Sequence, residues 1–423
     1  MGNLYVIHLT MTTDIRQIGL SLGADLCWPI CFETLLDRLN LSLPIDGQTV
    51  RFEVERVTIE PFNIRQPCKY DLVIDRLTHW YQTSREWIKK VILMDGVYTY
   101  NNPWSLQSME KQTTYCAMAR LGFPIPETWL IPPKAYASHD DLDATLTQYA
   151  RLFDLGEIGQ QLGYPLFMKP YDGGAWKGVS RIENEAALRE AYEESGTFVM
   201  HLQQAIEGFD RFVRCIGLGP QFLAIDYDPT APLHDRYRTH QHFLDAEDLA
   251  LLEDMTMTIN TFFGWDFNSC ESLHRDGVWY PIDFANACPD SQVTSLHYHF
   301  PWLVLANLRW ATFCAATRRS MPCHLDWEPF FEINRQPIPF REKLRAYAAI
   351  GHERMETDRF REFCDRHLGH LDEVADQYFG STEFRDVIRR KVATLFPDHE
   401  IESFTELFWD RIQQWRAQPH QPV

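Results

Sequence analysis

The sequence predicts a protein of mixed α/β and α+β class that has two or three packed lobes and ends in a helical extension. With 423 residues, the chain is too long for one compact core. Short apolar runs alternate with helical patterns up to about residue 100, hairpin-like strand patterns continue to about 325, and charged helical patterns fill the remainder. We therefore expect an N-terminal α/β lobe at 1–100, a central domain at 101–325 and a helical extension at 326–423.

Composition narrows the class of function. Forty-five per cent hydrophobic and 23% charged residues are typical of a globular protein. The net charge of −19 disfavours nucleic acid as a general partner, because most of the surface would repel a phosphate backbone. We expect no membrane partner and a cytoplasmic location, since no apolar window is long enough to span a bilayer and the start lacks a signal-peptide pattern. The cysteine spacing completes no zinc site, which favours buried thiols.

In the N-terminal lobe, apolar runs such as 4–9 and 91–94 alternate with helical pieces such as 32–41. A helical stretch at 106–121 follows, and Gly122 with the prolines after it ends that helix and begins an extended segment. The chain after these segments contains three residue patterns that indicate a function.

The first such signal is a hairpin with a glycine-rich tip. Two strand-like runs, 164–169 and 178–182, flank the loop 172–178. An isolated lysine at a strand end, such as Lys169, usually extends to solvent. Here Pro170 and the loop glycines Gly173 and Gly174 follow it, so that a fixed cation lies beside flexible backbone N–H groups able to hold nucleotide phosphates. The Walker A motif is absent from the sequence.

The second signal is a hinge within 198–214, where a polar link containing Gly208 joins two apolar strands. Backbone groups between Gln204 and Ile206 can hydrogen-bond to an adenine edge, and Asp210 can accept from ribose hydroxyls.

The third signal is a pair of strands, 266–273 and 278–284, joined by an Asp-Gly turn that is typical of hairpins. Because the hairpin folds the two runs together, Glu271, Asp283 and Asn286 can converge on one hard cation. Carboxylate and amide oxygens together with phosphate and water are the ligands that Mg²⁺ prefers, and Mn²⁺ accepts the same set.

These three elements, in this order, resemble the ATP-grasp ligase family over residues 100–300. The resemblance implies an ATP-grasp fold, with ATP and Mg²⁺ as cofactors. It matches Lys111 to a first lysine on a helix and Lys169 to the second, phosphate-binding lysine. It also implies that the hinge from Gln203 to Ile206 contacts adenine and that Asp210 contacts ribose.

Two departures from the family pattern concern the hinge and the metal motif. Gln203 and Gln204 stand where a glutamate is common. The family usually ends with Glu-x-Asn, whereas the acid nearest to Asn286 here is Asp283, three residues earlier. Either Asp283 reaches the metal through a bulge, or one of two ions is held differently.

The expected reaction activates a small-molecule or peptide carboxylate as an acyl phosphate and passes it to an amine acceptor. Lys169 would offset charge on the transferred phosphoryl group, and Arg236 in the loop 234–240 would anchor an acidic substrate. Arg214 can face either the cleft or solvent. One alternative is an ATP-grasp kinase, and another is an inactive nucleotide-binding scaffold, which the irregular spacing of Asp283 and Asn286 favours.

Two further features have less direct chemical meaning. His297 and His299 form a His-x-His pair that suits either a transition metal or aromatic packing. The helical patterns beyond residue 339 are most simply explained by packing or by formation of a homodimer.

Overall fold

A computed structural model describes residues 12–77, 81–106, 110–171, 177–286, 288–322 and 325–418. The predicted apolar run at 4–9 lies outside these residues. The described strands form three sheets, and helices cover the sheets and make up the C-terminal part. The predicted class, mixed α/β with a helical C-terminal part, is confirmed.

The N-terminal lobe is a five-stranded sheet in the order β2-β3-β1-β4-β5. Its elements are β1 (Thr13–Ser21), α1 (Cys27–Leu39), β2 (Leu43–Ile45), β3 (Gln48–Arg56), β4 (Leu72–Asp75), α2 (Gln82–Asp95) and β5 (Tyr98–Tyr100). Strand β1 pairs in parallel with both β3 and β4, and β4 pairs in parallel with β5. The apolar run at 91–94 lies inside α2, because Ile88, Val91 and Ile92 form a buried helical face.

A four-stranded antiparallel sheet in the order β6-β9-β7-β8 follows. This segment contains α3 (Pro103–Leu106), α4 (Lys111–Arg120), β6 (Thr128–Ile131), α5 (Leu142–Tyr149), α6 (Leu155–Leu162), β7 (Leu166–Pro170), β8 (Ser180–Ile182), α7 (Glu185–Glu194) and β9 (Met200–Gln204). The predicted hairpin is present as β7 and β8, with Leu166 opposite Ile182. Residues from α6, α7 and this sheet, which we call the small sheet, share an apolar core.

A second antiparallel sheet, which we call the acidic sheet, has the order β11-β10-β12-β13. It comprises β10 (Arg211–Leu218), β11 (Gln221–Asp226), α8 (Ala246–Phe263), β12 (Phe267–Arg275) and β13 (Val278–Asp283). Asp276 and Gly277 both have positive φ, 52° and 76°, as a tight hairpin turn of type I′ requires. The predicted Asp-Gly hairpin is confirmed.

The C-terminal part is helical. Its helices are α9 (Val293–Leu296), α10 (Phe300–Ala316), α11 (Glu328–Asn334), α12 (Phe340–Arg354), α13 (Thr357–His367), α14 (Leu371–Phe379), α15 (Thr382–Val392) and α16 (Ile401–Arg416). Almost every residue of α10 is buried, and this helix shares one core with Leu20 of β1, Phe32 of α1 and Ile388 of α15. The C-terminal helices therefore complete the core of the N-terminal lobe. None of the described helices combines the length and apolar composition needed to cross a bilayer.

Phe384 tests whether the C-terminal helices belong to that common core. Its ring is fully buried and contacts Phe300, Phe379 and Trp409. Because truncation leaves a cavity, we expect Phe384→Ala to lower the free energy of unfolding by about 3–5 kcal/mol. Leu395→Ala is the control, since Leu395 is 57% exposed, and it should change that energy by less than about 0.5 kcal/mol. Equal effects of the two substitutions in chemical denaturation would contradict the shared core.

Candidate nucleotide and metal site

Lys169 connects the small sheet to the acidic sheet. It lies on β7 opposite His201 of β9, so both side chains emerge from the same face of the small sheet. Its Nζ donates to Gln203 Oε1 at 2.8 Å and to the backbone oxygen of Ile282, on β13, at 3.2 Å. Burial lowers the pKa of Lys169 to about 8, although the Asp283 carboxylate opposes the fall. The lysine is thus a buried cation with two neutral hydrogen-bond acceptors.

A short hydrogen-bond chain fixes the orientation of Gln203. The Thr128 hydroxyl donates to the Pro126 carbonyl at 2.7 Å, so the lone pairs of Thr128 Oγ1 remain available as acceptors. Gln203 Nε2 donates to that oxygen at 2.8 Å, which leaves Gln203 Oε1 to accept from Lys169. Gln203 therefore gives Lys169 a neutral partner, where a glutamate would have given it a carboxylate.

Lys111 reaches the same place from a different element. It is the first residue of α4, and its Nζ lies 3.0 and 2.9 Å from the two carboxylate oxygens of Asp283. Burial acts to raise the pKa of Asp283, but Lys111 and Lys169 outweigh burial and hold that pKa below its ordinary value. The two lysines, 58 residues apart in the sequence, both act on one carboxylate, Lys111 by direct contact and Lys169 through its charge.

Glu271 and Asp283 face each other across the acidic sheet. They are register partners on β12 and β13, whereas the next partners are Ser272 and Pro281, so Ile282 is an extra residue in a bulge. This bulge turns Asp283 toward the face that bears Glu271, which is the first of the two arrangements that the sequence allowed. Burial raises the pKa of Glu271, and the Asp283 charge adds to that rise. Two neighbouring carboxylates of this kind favour a cation between them.

Arg214 faces the cleft. It is the register partner of Glu271 on β10, and its Nη1 lies 3.4 Å from a Glu271 oxygen. Its Nη2 also donates to Ser269 Oγ at 3.2 Å. The Asn286 amide donates to the same Ser269 hydroxyl at 2.7 Å, and Ser269 lies two residues before Glu271 on the same face. Asn286 is therefore beside the paired carboxylates.

The other predicted nucleotide contacts lie farther from this cluster. Asp210 is 61% exposed and accepts from His274 Nδ1 at 2.6 Å, which lowers its pKa. Gln204 is exposed at the end of β9, and its N–H donates to the Glu127 carbonyl at 2.9 Å. Ile206 is buried in the main core. Gly173 and Gly174 lie outside the described residues.

Arg236 lies on the loop after β11, where its Nε donates to the Ala231 carbonyl at 3.1 Å. Its chain neighbour Tyr237 lies beneath the Arg214 guanidinium, which is 5.5 Å from the ring centre, and packs edge-on against Tyr227. Arg236 is therefore next in sequence to a residue that contacts Arg214.

Sequence reasoning missed Tyr115 and His201, which line the space between the lysines. The Tyr115 hydroxyl donates to the Ile282 carbonyl at 2.8 Å, and the Lys169 ammonium lies 5.1 Å from the centre of the Tyr115 ring. His201 is fully buried, and burial together with the two lysines lowers its pKa to about 3, so the ring is neutral. Strand alternation, which puts His201 on the face of Gln203, was the signal available in the sequence.

The His-x-His pair is a packing feature. Burial lowers the pKa of His297 to about 3 and that of His299 to about 4. His299 Nε2 is 2.8 Å from the Arg238 carbonyl, a hydrogen bond that takes up one of the two ring nitrogens. In the described ranges, no group of three or more His, Cys, Asp or Glu residues is arranged to hold a metal ion.

No protein-family model matches the chain. The chain is 41% identical to D-alanine–D-alanine ligase A of Chromobacterium violaceum over 68 residues, which are 16% of this chain and 18% of that ligase. The match thus spans less than one fifth of the length of this curated relative.

Solved structures of similar chain path include a RimK domain ATP-grasp protein from Sphaerobacter thermophilus. That likeness covers 69% of this chain and 97% of the other at 12% identity, with a TM-score of 0.46. VanG D-Ala:D-Ser ligase from Enterococcus faecalis is matched over 80% of this chain and 100% of its own, at 14% identity and a TM-score of 0.47. These likenesses describe the chain path alone, and the resemblance to ATP-grasp ligases rests on the sequence motifs.

The neutral partner of Lys169 predicts a pH dependence of nucleotide binding. Lys169 loses its proton as pH rises through about 8, so affinity for Mg²⁺·ATP should fall above that pH. Gln203→Glu places a carboxylate against the ammonium and should move the fall upward by about one to three pH units. Gln204→Glu, on the exposed neighbouring residue, is the matched control and should leave the profile unchanged. Calorimetric titration at several pH values would measure both, and identical profiles for the two variants would contradict the assignment.

Proposed function

We propose that the chain is an ATP-grasp ligase that uses ATP and Mg²⁺ to join a carboxylate to an amine. The observation that carries this proposal is the convergence of Lys111, Lys169, Glu271 and Asp283 between the small sheet and the acidic sheet. The two lysines are buried and the two carboxylates are half-buried, and the four groups come from four different elements. Charged side chains are costly to bury, and a cleft that collects both signs is suited to a charged ligand with its counterion.

Glu271, Asp283 and Asn286 would hold the divalent ion, Mg²⁺ or Mn²⁺. Two facing carboxylates and one amide oxygen match the ligand chemistry of a small hard cation that keeps some water and phosphate ligands. The raised pKa of Glu271 and its proximity to Asp283 fit this role, because a cation between them would relieve their repulsion. When bound, Mg²⁺ supplies neutralisation of phosphate charge during transfer.

Lys111 and Lys169 would bind the phosphates. Asp283 holds Lys111 in the structure and would hold the metal during turnover, so the Lys111 ammonium would become free to donate to phosphate oxygens. Lys169, fixed by Gln203, would donate from the side of the small sheet. Contact with phosphate would raise the pKa of Lys169, and binding above pH 8 would therefore take up a proton.

The proposed reaction has two steps. A substrate carboxylate oxygen attacks the γ-phosphorus of ATP, the bond to the β-phosphate oxygen breaks, and ADP leaves. The amine then attacks the carbonyl carbon of the acyl phosphate, phosphate leaves, and the nitrogen loses a proton to solvent. Arg236, next in the chain to the Tyr237 ring that packs against Arg214, would orient the acidic substrate beside the γ-phosphate.

The irregular spacing of Asp283 and Asn286 was the observation that favoured the alternative of an inactive nucleotide-binding scaffold. The bulge at Ile282 accommodates that spacing and puts Asp283 opposite Glu271. The ligase proposal therefore requires no loss of a metal-binding group.

Replacement of Lys169 tests the phosphate role. Lys169→Met keeps most of the buried volume and removes the cation, so we expect kcat to fall by at least about 100-fold. Lys134→Met, on an exposed lysine just after β6 of the same small sheet, should retain turnover. ADP release in a coupled assay gives the measurement, and an active Lys169→Met enzyme would exclude the phosphate assignment.

Replacement of Asp283 tests the metal role. Asp283→Asn removes one carboxylate charge, so the Mg²⁺ concentration that gives half-maximal rate should rise by at least about tenfold. Asp276→Asn, at the 87% exposed turn of the same hairpin, is the control. An unchanged Mg²⁺ dependence of Asp283→Asn would show that the ion lies elsewhere.

The identity of the products separates a ligase from a kinase. The purified chain would be incubated with ATP, Mg²⁺ and a pool of carboxylic acids and amines, followed by phosphate assay and mass spectrometry. A ligase releases ADP and inorganic phosphate only when both substrates are present, and it forms an amide. A phosphorylated product without release of phosphate would support the kinase alternative.

A further inference from the structure

The loop that carries Arg236 follows β11 and has almost no core of its own. We call residues 228–241 the Arg236 loop. The structure describes all of it, and Tyr237 is its one buried residue. The base of the bend is closed, because the Asp228 N–H donates to the Arg236 carbonyl at 2.9 Å. A loop with so few buried contacts opens readily unless other elements hold it.

One face of α16 contacts the two residues directly before Arg236. The His234 ring meets the Phe404 ring edge to face, with 5.2 Å between the ring centres and an angle of 76° between the ring planes. Asp235 Oδ1 lies 3.4 Å from Arg411 Nη2. Phe404 and Arg411 are seven residues, or about two helical turns, apart, so they lie on the same side of the helix. This side of α16 faces the bend of the Arg236 loop.

The far end of the Arg236 loop is tied to the chain just after α16. Gln241 Nε2 donates to the Tyr298 hydroxyl at 2.6 Å, and this hydroxyl donates to Gln418 Oε1 at 2.9 Å. His297, next to Tyr298 in the sequence, stacks on Phe408 of α16 with 6.5 Å between the ring centres. Helix α16 and the residues that follow it therefore hold the Arg236 loop at two places.

Helix α16 is itself fixed by contacts that do not involve the loop. Arg416 donates to both carboxylate oxygens of Asp376 on α14, at 2.8 and 2.9 Å. Gln413 Nε2 donates to the Phe379 carbonyl at 3.1 Å. Ile412 is fully buried in the core that α16 shares with α10 and β1. A helix anchored in this way can support a loop without moving with it.

Advance ordering of the Arg236 loop matters because Arg236 is the proposed anchor of the carboxylate substrate. When a binding loop becomes ordered only on binding, the entropy of ordering is subtracted from the binding free energy. A loop that is already held avoids that loss. The resemblance to ATP-grasp ligases covers residues 100–300, so α16 lies outside it.

We propose that α16 is a positioning element for the carboxylate substrate, which holds the Arg236 loop in its binding conformation before the substrate arrives. Phe404 and Arg411 act through His234 and Asp235 and do not touch the substrate. The inference rests on the proposed function, because the role of Arg236 as substrate anchor belongs to that function. It gives the last helix a role in binding in addition to its place in the core.

Limited digestion of the full chain with trypsin tests whether α16 holds the loop. Phe404→Leu/Arg411→Gln removes the ring contact and the ion pair from the side of the helix, and His234→Ala/Asp235→Asn removes the same two contacts from the side of the loop. Cleavage of a transiently open segment follows the population of its open form. Both variants should therefore be cut within the Arg236 loop at least about threefold faster, as measured by mass spectrometry of the fragments.

Two controls separate a local effect from a general one. Glu406→Gln changes a charge on the opposite side of α16, where Glu406 pairs with Arg385 of α15, and should leave cleavage of the Arg236 loop unchanged. Cleavage after Arg65, in an exposed segment of the N-terminal lobe, should be the same in all variants. The inference is overturned if neither contact variant is cut faster, if Glu406→Gln is cut equally fast, or if cleavage after Arg65 rises by the same factor.

Steady-state kinetics test the positioning of the substrate. The probe is the pool of carboxylic acids and amines with Mg²⁺·ATP, and phosphate release is the readout. Both contact variants should need at least about fivefold more of the acids for half-maximal rate, with the half-saturating ATP concentration unchanged. An unchanged requirement for the acids overturns the inference, as does an equal rise for ATP, which a purely structural role predicts. A wild-type chain that releases no phosphate contradicts the proposed function instead, and the digestion then decides whether α16 holds the loop.

Discussion

The structure depends on the mutual neutralisation of charges buried between two antiparallel sheets. Lys111, Lys169 and Arg214 meet Glu271 and Asp283, so that three cations surround two carboxylates. Each charge alone would be too costly to remove from water. Together they tolerate burial and leave one excess positive charge, which favours a polyanionic ligand.

The remaining fold holds the supports of this cluster in place. The small sheet contributes Lys169 and the Thr128–Gln203 chain, and the acidic sheet contributes the carboxylates in adjacent register. The C-terminal helices pack around α10 and against the N-terminal sheet, and so connect the N-terminal lobe with the rest of the molecule. Because the fold fixes these charged side chains before a ligand arrives, they can contact that ligand at the same time.

In the hinge, the residue at position 203 sets the charge around Lys169. Gln203 accepts from Lys169 as a carboxylate would but brings no charge, so it does not oppose the fall in the pKa of Lys169 to about 8 that burial causes. The two departures from the family pattern have different consequences. The glutamine alters electrostatics, whereas the displaced acid is accommodated by a backbone bulge that preserves the facing carboxylates.

The sequence by itself determined the hairpins around residue 169 and at Asp276–Gly277, the helical C-terminal part, and the residue types able to hold phosphate and metal. Local patterns suffice for these features, since turn chemistry and side-chain periodicity act over a few residues. The partner of each charge was decided only by the tertiary structure. The pairing of Lys111 with Asp283 and the face taken by Arg214 depend on strand register and on elements far apart in the chain. A one-residue change of register reverses the face of every side chain on a strand, and no local pattern in this sequence fixes it.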